Sequence, residues 1–102
     1  MIKTEKTPDS LSIVLQEDLT VLNAKQAVKH FKSALAEAEG DSIILDLNQI
    51  DMVDSMGLKV IIGLYQSCQT ENKTLEVHTQ SPAIQRIFHM CNLGRFITVH
   101  QG

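Results

Sequence analysis

The chain has 102 residues, 43% of them hydrophobic but only 4% aromatic, with twelve acids against nine bases and a net charge of −3. That length suits one domain able to bury roughly 60–70% of its unfolded surface, around a core of Ile, Leu, Val and Ala. The charge balance leaves no basic footprint for nucleic acid, and so few aromatic rings offer no platform for stacking bases. Met1 to Ser10 is polar and charged, without the apolar run of a signal peptide. The longest apolar run, Val60 to Tyr65, is too short to cross a bilayer. The expectation is a cytoplasmic protein with no direct membrane insertion.

Residues 1–9 allow a short edge strand or a loose N-terminus. Leu11, Ile13 and Leu15 then alternate with Ser12, Val14 and Gln16, a period of two that predicts a strand with one dominant apolar face. Asn23 stands three residues before Gln26, the spacing of a reciprocal capping pair. Ala24, Ala27, Val28, Phe31, Ala34, Leu35 and Ala38 follow at helical spacing, with Lys25, Lys29, Lys32 and Glu37 on the other side. Gly40 is expected to end that helix in the left-handed region. Ser42 to Leu47 is apolar at nearly every position and reads as a strand covered on both sides.

A second helix is expected to open at Ser55, with Ser55 as its N-cap and Leu58, Ile61, Ile62, Tyr65 and Cys68 on its buried stripe, and to end near Asn72-Lys73. Thr74 to Thr79 alternates Leu75 and Val77 against Glu76 and His78, a strand with one wet face. Ser81-Pro82 is a cap followed by proline at the first helical position. Ile84, Ile87, Phe88 and Cys91 mark the inner side of that third helix, Gly94 closes it, and Phe96 to Val99 is a last strand. Cys68 and Cys91 form no C-x-x-C pair; both lie on apolar stripes and read as buried thiols in a reducing compartment. The alternation predicts an α/β fold, a single layer of four or five largely parallel strands with helices packed mainly on one face.

Ser55 is the hydroxyl in the most unusual setting, between Asp54 and Gly57. A helix cap explains the serine, and Asp54 would favour the positive helix end. Gly57 inside the first turn costs about 1 kcal/mol relative to Ala, which makes sense where something approaches the backbone closely. Catalytic readings fare worse. The hydrolase elbow G-x-S-x-G fails because Val53 occupies the first glycine position, and no phosphate loop G-x-x-x-x-G-K is present. His89 and Cys91 are two apart on a helix and do not share a face. His30, His78 and His100 are scattered and read as surface or half-buried residues, so no metal site is expected. Asp18, Asp51 and Asp54 could gather on one edge, but no insertion builds a cleft around them. The chain is read as a non-enzyme without a cofactor.

The stretch I-I-L-D-L-N-Q-I-D-M-V-D-S-M-G-L, followed by an apolar helix and later by S-P-A-I-Q-R-I-F-H-M-C-N-L, resembles the STAS domain, specifically bacterial anti-sigma factor antagonists. The resemblance runs from about Ser10 to Val99, and L-D-L followed by D-S-x-G-L is its most specific part. It implies a sheet flanked by helices, with Ser55 as the residue phosphorylated by an anti-sigma factor that is itself a serine kinase, and a serine phosphatase that resets it. It further implies a partner-binding surface built from Asp18, Thr20, Asn23, Asp51, Asp54, Met56, Gly57 and Lys59. Three departures stand out. Thr20 falls where the family's G-E-L-D carries its last acid, Met56 where a small residue is common, and the sequence to Gly102 offers little of the final helix that many relatives carry. The same resemblance allows an alternative role, an adaptor subunit of a membrane lipid- or anion-transport complex.

Overall fold

A computed structural model of the protein describes residues 2–101. Five strands and three helices follow one another as β1 (Ile2–Lys6), β2 (Ser10–Leu15), α1 (Ala24–Glu37), β3 (Ser42–Asp46), α2 (Ser55–Thr70), β4 (Thr74–His78), α3 (Pro82–Met90) and β5 (Thr98–His100), with a 3₁₀ turn at Leu93–Arg95. The strands make one sheet in the order β1-β2-β3-β4-β5. β1 lies antiparallel to β2 and every other pair is parallel, as strand–helix–strand crossovers require.

Alternation decides which side of this sheet is dry. Register places Leu11 beside Ile43 and Ile43 beside Leu75, then Ile13 beside Leu45 and Leu45 beside Val77. These residues form one apolar floor. α1 lays Ala24, Ala27, Phe31, Ala34 and Leu35 on it, α2 adds Val60, Ile61, Leu64 and Cys68, and α3 adds Ile84 and Phe88, all in one continuous core. Each Ile, Leu or Phe taken out of water there contributes about 1.5–3 kcal/mol. The opposite side of the sheet carries Ser12, Ile44, Asp46, Glu76, His78, Thr98 and His100, all half-buried or exposed, together with Val14 beside Asp46, which is buried. The expectation of helices on one face is met, whereas β3 is not covered on both sides: its second face, Ile44 and Asp46, is only half-buried.

Several element ends differ from the sequence reading, each for a local reason. Asn23 precedes α1 but makes no side-chain cap bond; its amide instead accepts from the Thr20 N–H at 2.9 Å and donates to the Asp18 carbonyl at 2.8 Å. Gly40 does not exit α1 in the left-handed region. The chain leaves extended at Ala38, and glycine is required at 40 because a Cβ there would strike the Asp9 carbonyl. The left-handed exits belong to asparagines, Asn72 after α2 (φ 59°) and Asn92 after α3 (φ 61°), which tolerate that conformation better than most residues. α3 ends at Met90, so Cys91 falls off the buried stripe and is exposed, while Cys68 is buried as expected. Tyr65, Leu58 and Ile62 are only half-buried, and Val60 and Leu64 take the inner positions instead. The last strand begins two residues later than read and ends one later: Phe96 is exposed and β5 spans Thr98–His100.

Candidate functional site

The loops that follow β2 and β3 meet at the ends of these two parallel strands. Leu19 and Val53 form an isolated parallel bridge between them. The Leu19 N–H donates to the Met52 carbonyl at 3.2 Å, and the Asp54 N–H donates to the Leu19 carbonyl at 3.1 Å. Side chains add a reciprocal grip. Asp18 Oδ1 accepts from the N–H groups of Asp51 (3.0 Å) and Met52 (3.2 Å) in the second loop. Asp54 Oδ2 returns the contact by accepting from the Val21 N–H at 2.9 Å in the first loop. Two of the three aspartates that the sequence places on one edge thus hold backbone, while Asp51 is exposed.

α2 begins at Ser55, but Ser55 is not its cap. The N-cap is Asp54, in extended conformation, whose Oδ1 accepts from the Gly57 N–H at 2.7 Å. Asp and Ser are almost equally good caps; here the one whose second oxygen also reaches Val21 takes the position. The Gly57 N–H, and next the Val21 N–H, hold the Asp54 carboxyl below the usual carboxylate range, because each bond stabilises the ionised form. A fixed negative charge therefore precedes Ser55. Ser55 itself is the first helical residue, is exposed, and its hydroxyl makes no hydrogen bond to any described residue.

Gly57 is buried rather than offered to a visitor. A Cβ at this position would stand 3.0 Å from both the carbonyl carbon and Cγ of Leu19, and closer still to the carbonyl oxygen. The close approach that the glycine serves is therefore made by the chain's own first loop. Thr20 and Asn23 are half-buried and bonded within that loop, where Thr20 Oγ1 accepts from the Leu22 N–H at 3.2 Å. Met56 and Lys59 are exposed on α2, and Lys59, one turn beyond Ser55, borders a groove of ≈ 330 Å³ between α1 and α2 lined by Phe31, Leu35, Val60 and Leu64.

Exposed apolar side chains rim the start of α2 and the two loops bonded to it, and sequence reasoning passed over most of them. Leu22 is 93% exposed, Val21 64%, Met52 49% and Met56 39%. Single exposed apolar residues are ordinary, but three on two bonded loops and a fourth in the first turn of α2 make a grouping of the kind that marks an interaction surface. The available signal was Val21-Leu22, a bulky apolar pair inside an otherwise polar connection. His30, His78 and His100 are exposed or half-buried as expected, but two of them are not scattered. His78 and His100 sit side by side on β4 and β5 with Glu76 next to them, at the opposite edge of the sheet from β1.

This fold has known relatives. The profile of the STAS domain matches residues 1–102, and the chain belongs to the STAS domain family. Among solved structures, it is similar to an anti-sigma factor antagonist from Mycobacterium paratuberculosis, at 17% identity and a TM-score of 0.88 over 100% of this chain and 86% of that one. It is also similar to SpoIIAA, a Bacillus cell fate determinant. The unphosphorylated anti-sigma factor antagonist SpoIIAA matches at 18% identity and a TM-score of 0.80, covering 99% of this chain and 89% of that one. The phosphorylated form matches at 18% and 0.75, covering 99% and 92%. At such identities the likeness concerns the fold, a mixed, mostly parallel five-stranded sheet with three helices. Among the described residues no helix is long and apolar enough to cross a membrane.

Proposed function

We propose that this protein is a phosphorylation-switched interaction module, an anti-sigma factor antagonist that acts by binding rather than by catalysis. Its unphosphorylated form docks on an anti-sigma factor with serine kinase activity, phosphorylation of Ser55 releases it, and a serine phosphatase restores it. The observation that carries the reading is the setting of Ser55: an exposed hydroxyl, unbonded among the described residues, at the start of a sixteen-residue helix, beside a fixed carboxylate and next to loops that expose apolar side chains. That similar folds include an anti-sigma factor antagonist solved in both unphosphorylated and phosphorylated forms supports it.

The chemistry follows from charge. A phosphoserine adds about −1.5 to −2 charges at neutral pH. The free domain tolerates them, because a helix N-terminus favours anions and Lys59 lies one turn along on the same side. A partner seated on Val21, Leu22, Met52 and Met56 would have to desolvate the phosphate beside the Asp54 carboxylate. An unpaired buried charge costs about 3–5 kcal/mol, and each ~1.4 kcal/mol is tenfold in affinity, so binding weakens a hundredfold or more without any change of fold.

The test is intact-mass analysis of the protein incubated with the cognate kinase and ATP, with Ser55→Ala as control, followed by binding measurements. The expected results are one phosphate on the wild type and none on Ser55→Ala, with Ser55→Ala binding persistently and Ser55→Asp binding poorly. Wild-type affinity in both variants would refute the switch.

A further inference from the structure

On the sheet face that carries no helix among the described residues, parallel pairing sets His78 directly beside His100, and Glu76 projects from the same side two residues earlier on β4. The two imidazole centroids are 4.9 Å apart, with ring planes inclined at 48°. Glu76 Oε1 lies 2.9 Å from His100 Nε2 and 3.4 Å from His78 Nε2, and one ligand atom from each of the three residues falls within 4.8 Å of the others. Zinc–nitrogen and zinc–oxygen bonds are about 2.0–2.2 Å. Two ligand atoms at that radius stand about 2.9 Å apart at a right angle and about 3.4 Å apart at the tetrahedral angle. The two carboxylate–imidazole separations thus already match those of atoms sharing one ion.

We propose that Glu76, His78 and His100 form a binding site for a divalent transition metal of the zinc class. Two imidazoles and one carboxylate suit zinc and its neighbours in the first row, whereas magnesium and calcium take all-oxygen sets. Three protein ligands leave a fourth position for water or for a side chain of a docking protein. The third pair, His78 with His100, has its ligand atoms within 4.8 Å, and binding would require the exposed His100 ring to turn toward His78. The backbone supplies the preorganisation, since the register of β4 and β5 fixes all three Cα positions before any ion arrives. The ion would also clip β5, a three-residue strand at the edge of the sheet, to β4. Competing donors lie elsewhere: Cys91, His89 and His30 are all exposed.

The experiment is a calorimetric titration of the full chain with Zn²⁺ alone, run on wild type, Cys91→Ser, His78→Gln, His100→Gln and the double histidine variant. The side chains concerned face solvent, so the variants retain the core. One equivalent is expected to bind wild type and Cys91→Ser alike, with each single histidine variant weakened at least tenfold and the double variant reduced to background. Backbone amide resonances of residues 76–78 and 98–100 in the wild type should shift with zinc and exchange more slowly with solvent, a readout that needs no substitution. Equal zinc affinity in wild type and the double variant would overturn the site. So would binding that disappears with Cys91→Ser, or zinc-induced shifts confined to residues around Cys91 or His30.

Discussion

Two glycines of α2 provide the sharpest test of how the loops are joined. Both are helical and neither has a positive φ, so alanine fits the backbone at each and by helix propensity alone should stabilise by up to about 1 kcal/mol. They differ in what a methyl group meets. At Gly63 there is nothing within 4 Å. At Gly57 the new carbon falls 3.0 Å from the Leu19 carbonyl carbon, where 3.4 Å is the inner edge of ordinary contact, so the first loop must retreat by about 0.4 Å or more. The Leu19 carbonyl oxygen also accepts the Asp54 N–H at 3.1 Å, and the same retreat carries that bond to the limit of useful geometry. Overpacking of a closed site costs about 1–3 kcal/mol beyond such local gains. Gly57→Ala is therefore expected to destabilise by about 1–3 kcal/mol, lowering the melting temperature by roughly 4–20 °C in a domain of this size. Gly63→Ala should raise it by several degrees. Thermal and urea unfolding followed by circular dichroism checks both. If Gly57→Ala proves as stable as Gly63→Ala, the two loops are not interlocked as described.

Four other outcomes follow from particular residues. If Ser55 were the helix cap, Ser55→Ala would cost about 1 kcal/mol; with Asp54 as the cap, the variant's unfolding free energy should stay within about 0.5 kcal/mol of wild type. The depressed Asp54 carboxyl contributes stability that is fully present above the ordinary carboxylate value of 3.8 and is lost as pH falls through its lower folded value. Asp54→Asn should therefore be less stable than wild type at neutral pH, and the two denaturation curves should converge in acid. Burial, with a smaller effect from Glu71, pushes the Cys68 thiol up to about 11. A thiol reagent at neutral pH should then label Cys91 alone in the folded protein and both cysteines in urea, as counted by mass. Leu22→Ser, on the apolar rim, should leave the unfolding free energy within about 0.5 kcal/mol of wild type while weakening binding of the kinase partner proposed above at least tenfold, a comparison of denaturation with titration.

The three central strands, β2, β3 and β4, were legible because one face of each is buried. Leu11-Ile13-Leu15 and Leu75-Val77 show the period of two, and the order of elements dictates parallel crossovers. Local pattern did not suffice where tertiary contact arbitrates between equal candidates. Asp54 and Ser55 are adjacent and both are good caps, and only the Val21 N–H from another loop decides between them. Gly40 and Gly57 are both recognisable as required glycines. What requires them, Asp9 and Leu19 respectively, lies 31 and 38 residues away in sequence. The apolar rim was missed because Val21 and Leu22 belong to no periodic element. His78 and His100 looked scattered because the register of β4 against β5, fixed by backbone pairing, leaves no signature in residue spacing.

The start of α2 divides two tasks between neighbouring residues. A serine that capped the helix would have its oxygen engaged with a backbone donor, and modifying it would break the cap and disturb the fold. Asp54 takes over that bond and, through its second oxygen, ties α2 to the first loop. Ser55 is thereby released from structural work and stands free at the surface. The same interlock holds Val21, Leu22 and Met52 out in solvent, since Asp18 and Asp54 fix the backbone of both loops and give those side chains no route to the core. An exposed apolar rim and an unencumbered hydroxyl are thus products of one set of backbone bonds. A charge placed on that hydroxyl can change what binds the rim while leaving the bonds that build it intact.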